Sequence, residues 1–296
     1  MPFLDTYVTG REKILNSILQ VNPETTLNSR RSPSKMTSGG NFLAGEIKDS
    51  LNQIVSLAMA ENGKMDYQKL IQDPHYDTYR ELIGDLQDFD YRTLTSREER
   101  MSFWINLYNS LVIDAVIREN IQKSVIESRL GILAFFQKAA YWVNYLRFSL
   151  TDIEHGVLRE NHGFPYFPGP HFASTDPRLE TIIQSFDPRI HFALNCASNS
   201  CPPIAVYTPE KLDEQLDLAA LNFINNDLSV NLDRKVITIS RIFSWYQNDF
   251  GRKKGVISLL ERYIQEKNIK LWLSENQTSI RIQYHPYDWG LNKFTN

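Results

Sequence analysis

Residues 96–117 read SREERMSFWINLYNSLVIDAVI, and the fold is organised around them. Ser96 and Glu99 have the spacing of a capping box, in which the hydroxyl accepts from the third amide and the glutamate reaches back to the cap. Met101, Trp104, Ile105, Tyr108, Leu111, Val112 and Ala115 then recur at helical spacing, forming a face so broad that the helix is predicted to be central and covered on several sides. Asn106 and Asn109 fall inside that apolar surround. Buried amides need hydrogen-bond partners, and an active-site wall is one place to find them.

On the N-terminal side, residues 4–19 have the pattern of a short amphipathic helix. Residues 21–41, with NSRRSPSK at 28–35 and SGG at 38–40, have linker composition. This predicts an N-terminal helix and flexible arm over 1–41 and a single catalytic-type domain over 42–296. Helices are expected from Leu43 to Ala58 and from Tyr79 to Leu86.

On the C-terminal side, Tyr145 to Ser149 reads as a strand, and Thr151 is placed to cap a helix through Arg159. A loop rich in Gly, Pro and aromatic residues follows from Asn161 to Phe172. Ile190 to Asn195 alternates like a buried strand, and Thr208-Pro209 opens a helix. Leu228–Leu232 and Lys235–Ile239 form a hairpin pattern, followed by two helical stretches and a strand over 279–284. Helices first, then strands and helices mixed, predict an α+β fold with a largely antiparallel sheet.

The 296 residues are 42% hydrophobic and 23% charged, with net charge −3, so no basic footprint for nucleic acid or an anionic membrane exists. No apolar run is long enough to span a bilayer and no signal sequence opens the chain, which predicts a cytoplasmic protein. Nucleotide-binding and common hydrolase motifs are absent.

Both cysteines lie in HFALNCASNSCPP, residues 191–203. A reducing cytosol predicts free thiols, the alternative being a bridge across a very small loop. A thiol nucleophile needs a base within reach and a group to orient that base. His191 lies on the same expected strand as Cys196 and an odd number of residues away, which sends the two side chains to opposite faces. His155, beside Glu154 on a short helix, is the stronger candidate base. His162, His171 and His285 read as solvent-facing or structural. A zinc site from His191, Cys196 and Cys201 lacks a fourth ligand, so neither metal nor cofactor is expected.

The strings SREERMSFWINLYNSLVIDAVI, SLTDIEHGVLR, DPRIHFALNCASNSCPP, ISRIFSWYQNDFG and YHPYDWGLN together resemble the domain-of-unknown-function 547 family, over roughly residues 65–292. The resemblance implies a papain-like or transglutaminase-like fold, with an antiparallel sheet against a central helix. It also implies Cys196 as nucleophile and the Glu154-His155 pair as its partners. Plant members tend to have serine at the position of Cys201, which favours Cys196. Because histidine precedes cysteine here, geometry shared with papain implies a permuted order.

The activity expected on this basis is that of a thiol-dependent hydrolase or transferase acting on an amide or γ-glutamyl bond of a small peptide such as glutathione. Asn106, Asn109, Cys201 and Asp288 are the candidate substrate-binding residues, and backbone amides of Cys196 and its successors are the candidate oxyanion donors. The competing reading is a catalytically inactive interaction module that binds a partner through the FPYFPGPHF loop at 164–172.

Overall fold

A computed structural model describes residues 2–29, 40–127 and 131–294. The backbone divides into two compact units. The first contains Met1–Phe186, Leu194–Leu212 and Trp289–Asn296, and the second Asp187–Ala193 and Asp213–Asp288.

In chain order the first unit carries α1 (Pro2–Ile18), α2 (Gly40–Ala58), α3 (Tyr67–Ile71), α4 (Pro74–Gly84), α5 (Arg97–Arg118) and α6 (Gly131–Lys138). The hairpin β1 (Ala140–Val143) and β2 (Leu146–Ser149) follows, and then a π-helix over Asp152–Leu158. Past α7 (Leu212–Asp227), the second unit holds β3 (Ser229–Asn231), β4 (Val236–Ile239), α8 (Ile242–Trp245), α9 (Arg252–Tyr263), α10 (Lys267–Asn276) and β5 (Arg281–Tyr284).

The predicted central helix is α5, whose residues from Met101 to Val116 are all buried. Its capping box is complete: Glu99 N–H donates to Ser96 Oγ at 3.1 Å, and Ser96 N–H to Glu99 Oε2 at 2.8 Å. Trp104 packs at 4.8 Å between ring centroids on Phe148 of β2, which lays the antiparallel hairpin against the helix. Asp114 is fully buried on α5, a position that costs free energy unless its charge is compensated. It accepts from Tyr76 Oη at 2.6 Å, Tyr141 Oη at 2.9 Å and Arg80 Nη1 at 3.0 Å.

In the second unit, β3 and β4 pair antiparallel, but β4 and β5 pair parallel, with Val236 opposite Arg281. Two of the three described strand pairs are antiparallel, and β4–β5 is the parallel exception. A parallel pair needs a long crossover, and α8, α9 and α10 supply it. The core here gathers Phe192, Ile237, Phe243, Phe250 and Leu260. The strand expected over 190–195 does not form. Asp187 instead caps a 3₁₀ turn, Pro188–Phe192, by accepting from Arg189 N–H at 3.0 Å.

The division at residue 41 is also corrected, because α1 belongs to the first unit. Arg11 donates to the carbonyls of Pro168 at 2.9 Å and Pro170 at 2.8 Å, and the Asp5 carboxylate accepts from Ser174 N–H and Oγ, each at 2.7 Å. Within the supposed arm, Asn28 is buried. Its amide accepts from Trp142 N–H at 2.7 Å and donates to Ile83 O at 2.9 Å. Residues 30–39 of that arm lie outside the described residues. Among the described residues no helix is long and apolar enough to cross a membrane.

Candidate active site

The histidine helix is set by its start. Ser149, ending β2, accepts from Asp152 N–H at 3.1 Å, while Asp152 Oδ2 accepts from Ser149 N–H at 2.8 Å and Oγ at 2.7 Å. Ser149 is therefore the cap. Thr151, the expected cap, is itself helical and makes no capping bond. Beyond it the turn widens: Arg159 N–H reaches Glu154 O and Asn161 N–H reaches Gly156 O, each five residues back at 2.9 Å. Such π turns occur often at functional sites. Gly156 is required where it stands, because a Cβ there would lie 2.2 Å from the Phe172 ring.

His155 is buried on this turn. Its Nδ1 lies 2.8 Å from Arg159 Nη1. Arginine can only donate, so Nδ1 is the acceptor and the neutral ring carries its proton on Nε2. Glu154 Oε1 is 3.8 Å from Nδ1, outside hydrogen-bond range, and Glu154 Oε2 accepts from Tyr108 Oη at 3.2 Å. Arg159 thus meets that nitrogen, and Glu154, the partner the resemblance implies, is not hydrogen-bonded to it. In this tautomer Nε2 is the hydrogen-bond donor of the ring.

The cysteine loop is built around Asn195. Its N–H donates to Asn109 Oδ1 at 2.9 Å, its Nδ2 donates to Pro202 O at 2.6 Å, and its Oδ1 accepts from Ala197 N–H at 2.7 Å. Ala197 has φ +62°, a left-handed conformation that a residue with a Cβ adopts at a cost. The C-terminal segment holds it there: Asn292 N–H donates to Ala197 O at 2.9 Å and Asn199 N–H to Gly290 O at 2.8 Å.

Cys196 and Cys201 are joined as a disulfide, which corrects the expectation of free thiols. Cys196 N–H donates to Cys201 Sγ at 3.0 Å, so it and Ala197 N–H are spent within the loop. They are not the expected oxyanion donors in this state. Asn106 has both amide atoms on the Tyr207 backbone, at 2.8 and 2.9 Å, and serves as a clamp on the chain. Asp288 is exposed and falls in the second unit.

The structure does bring the two candidate elements onto one support. Tyr108 holds Glu154, and the next residue of α5, Asn109, holds Asn195. His191 lies in the second unit, its Nε2 2.8 Å from Asp249 Oδ2 and its ring stacked on Tyr246. His171, read as solvent-facing or structural, is bonded through Nε2 to the buried Asp152 at 2.8 Å. Among the described residues no group of His, Cys, Asp or Glu side chains is arranged to hold a metal ion.

Fold and site together define an α+β protein in which a π-helical histidine and a bridged cysteine loop are mounted on one turn of a buried helix. Residues 91–224 match the family described as Protein of unknown function, DUF547. The matched span takes in α5, the π-helix and the cysteine loop and is narrower than the 65–292 expected; it leaves out the C-terminal segment that holds Ala197. No curated protein and no solved structure matches the chain.

Proposed function

We propose that this chain is a thiol-dependent hydrolase or transferase of papain-like or transglutaminase-like organisation, acting on an amide or γ-glutamyl bond of a small peptide such as glutathione. The shared mounting on Tyr108 and Asn109 is the observation that carries this reading, because it fixes the histidine turn and the cysteine loop to adjacent residues of one rigid element. The bridge must first be opened by a dithiol or phosphine reductant, which is oxidised as the disulfide becomes two thiols. Cys196 Sγ then attacks the carbonyl carbon, the amine leaves with a proton, and a thioester remains. Water, or an acceptor amine in the transferase case, cleaves the thioester and restores the thiol. His155, with its proton on Nε2, supports the thiolate as a hydrogen-bond donor.

The test is turnover of glutathione and of γ-glutamyl-p-nitroanilide by the full chain after phosphine reduction. Cys196→Ser is expected to abolish turnover, and Cys201→Ser to retain it without reductant. An active Cys196→Ser variant sinks the assignment. The bridged state also favours a second reading, an inactive interaction module of papain-like fold, since a sulfur held in a disulfide is not a nucleophile. No turnover by the reduced wild type, with Cys196 shown to be alkylated by iodoacetamide, supports that module.

A further inference from the structure

Helix α1 is apolar on two sides. Val8 is buried and Leu15 half-buried on the side turned toward the rest of the first unit. At about 100° per residue, Phe3, Tyr7, Gly10, Ile14 and Ile18 fall together on another side, within a sector of about 80°. Phe3 is 87% exposed, Ile14 62%, Ile18 60% and Tyr7 37%. The remaining sector is polar and exposed, with Thr6, Thr9, Lys13 and Ser17. A surface helix needs one apolar stripe to pack on its own domain, so the second stripe is left for another partner.

Gly10 lies in the middle of the second stripe, and a Cβ added to it would meet nothing within 4 Å. Glycine inside a helix costs stability relative to alanine, because it loses more backbone freedom on folding. Packing within the described residues does not ask for that cost, whereas a second helix crossing closely at this point does. The stripe is also built in two halves, with Phe3 and Tyr7 before Gly10 and Ile14 and Ile18 after it at similar distances. A two-fold axis at Gly10 lays the aromatic half of one α1 on the isoleucine half of another, so the stripe complements itself, as an isologous interface requires. Tyr7 is already held for this contact: the Arg11 guanidinium lies 5.8 Å from its ring centroid, and the carbonyls of Pro168 and Pro170 fix Arg11.

We infer that two copies of this chain associate through α1, with the two helices antiparallel and crossing at Gly10. The four exposed side chains present on the order of 450 Å² per copy, so pairing covers on the order of 900 Å², and a polar rim brings it to the lower limit of a specific interface, about 1,000 Å². An interface of this size gives a reversible dimer that dissociates in the micromolar range. A lipid surface fits the stripe less well. Helices that lie on membranes are rich in Lys and Arg on the polar face, and the polar sector here has Lys13 among Thr6, Thr9 and Ser17. This inference is independent of the thiol chemistry and needs neither cysteine.

Sedimentation equilibrium of the full chain across the micromolar range is expected to show a monomer–dimer equilibrium. The double variant Ile14→Glu with Ile18→Glu is expected to be monomeric throughout and to melt like dilute wild type, because both side chains are exposed in the protomer. Gly10→Ala separates assembly from folding. It is expected to raise the melting temperature of the dilute protomer and to weaken dimerisation about tenfold, as the methyl groups meet across the axis. Wild type that stays monomeric, a folded double variant that still dimerises, or a Gly10→Ala chain that dimerises as tightly as wild type overturns the proposal. So does a monomeric wild type that co-sediments with phosphatidylserine vesicles, which assigns the stripe to lipid.

Discussion

Asp152 concentrates more interactions than any other carboxylate of the histidine turn, and its titration has a definite sign. Its pKa in the folded chain is depressed, so its contribution to stability is complete above the unfolded value, about 3.9, and is lost as pH falls from there toward the folded value. Denaturant unfolding of wild type should therefore weaken below about pH 4, and Asp152→Asn should flatten that acid limb. The same substitution should cost about 1–3 kcal/mol at neutral pH, through the bonds lost with Arg178 and Ser149. A variant whose acid limb matches wild type would show that Asp152 is not the titrating group. Cys196, Glu154 and His155 stand out in the sequence through residue type, neighbourhood and the family resemblance. Arg159 on His155 could have been suspected from its spacing of four residues. His171 on Asp152 could not, because the two are 19 positions apart and no periodicity encodes the pair.

Among the elements, α5 and the π-helix make contrasting demands. In α5 the cap and the buried face each contribute, so Ser96→Ala should cost about 0.5–2 kcal/mol and Trp104→Ala about 3–5 kcal/mol in urea titration with the m-value kept. In the π-helix the demand is for absence of atoms. Gly156→Ala should destabilise by about 1–3 kcal/mol, since the methyl meets the Phe172 ring and one of them must move. A neutral Gly156→Ala would mean that the turn relaxes freely. The period of α5, the strand β2 and the β3–β4 hairpin could be read directly, as local patterns can. The segment Pro188–Phe192 imitates a buried strand through its run of apolar residues, while the Asp187 cap and Pro188 at its first position are the signals of a 3₁₀ turn. Parallel partnering of β4 with β5 is a choice between distant segments, and α10 buries only Leu273, too little to print a stripe.

For the molecule as a whole, α1 should matter to stability. Deleting residues 1–19 removes the bonds from Asp5 and Arg11 and the buried Val8 and Leu19. Each of those two side chains is worth about 1.5–3 kcal/mol of apolar burial. The truncated chain should melt at lower temperature and be cut by protease in the Asn161–Ser174 loop, where the full chain resists. An unchanged melt would return α1 to the status of an appendage.

The fastening of the cysteine loop by residues 290–292 also has a meaning in time. Asn292 and Gly290 hold Ala197 and Asn199, Leu291 N–H bonds Lys123 O, and Asn292 Oδ1 accepts from Tyr67 Oη. A nascent chain that has reached residue 288 already contains both cysteines, His155 and all of α5, yet lacks the piece that locks them. Until residues 289–292 are made the loop lacks these bonds, so a product stopped at residue 288 carries both cysteines and His155 without the hold on Ala197 and Asn199.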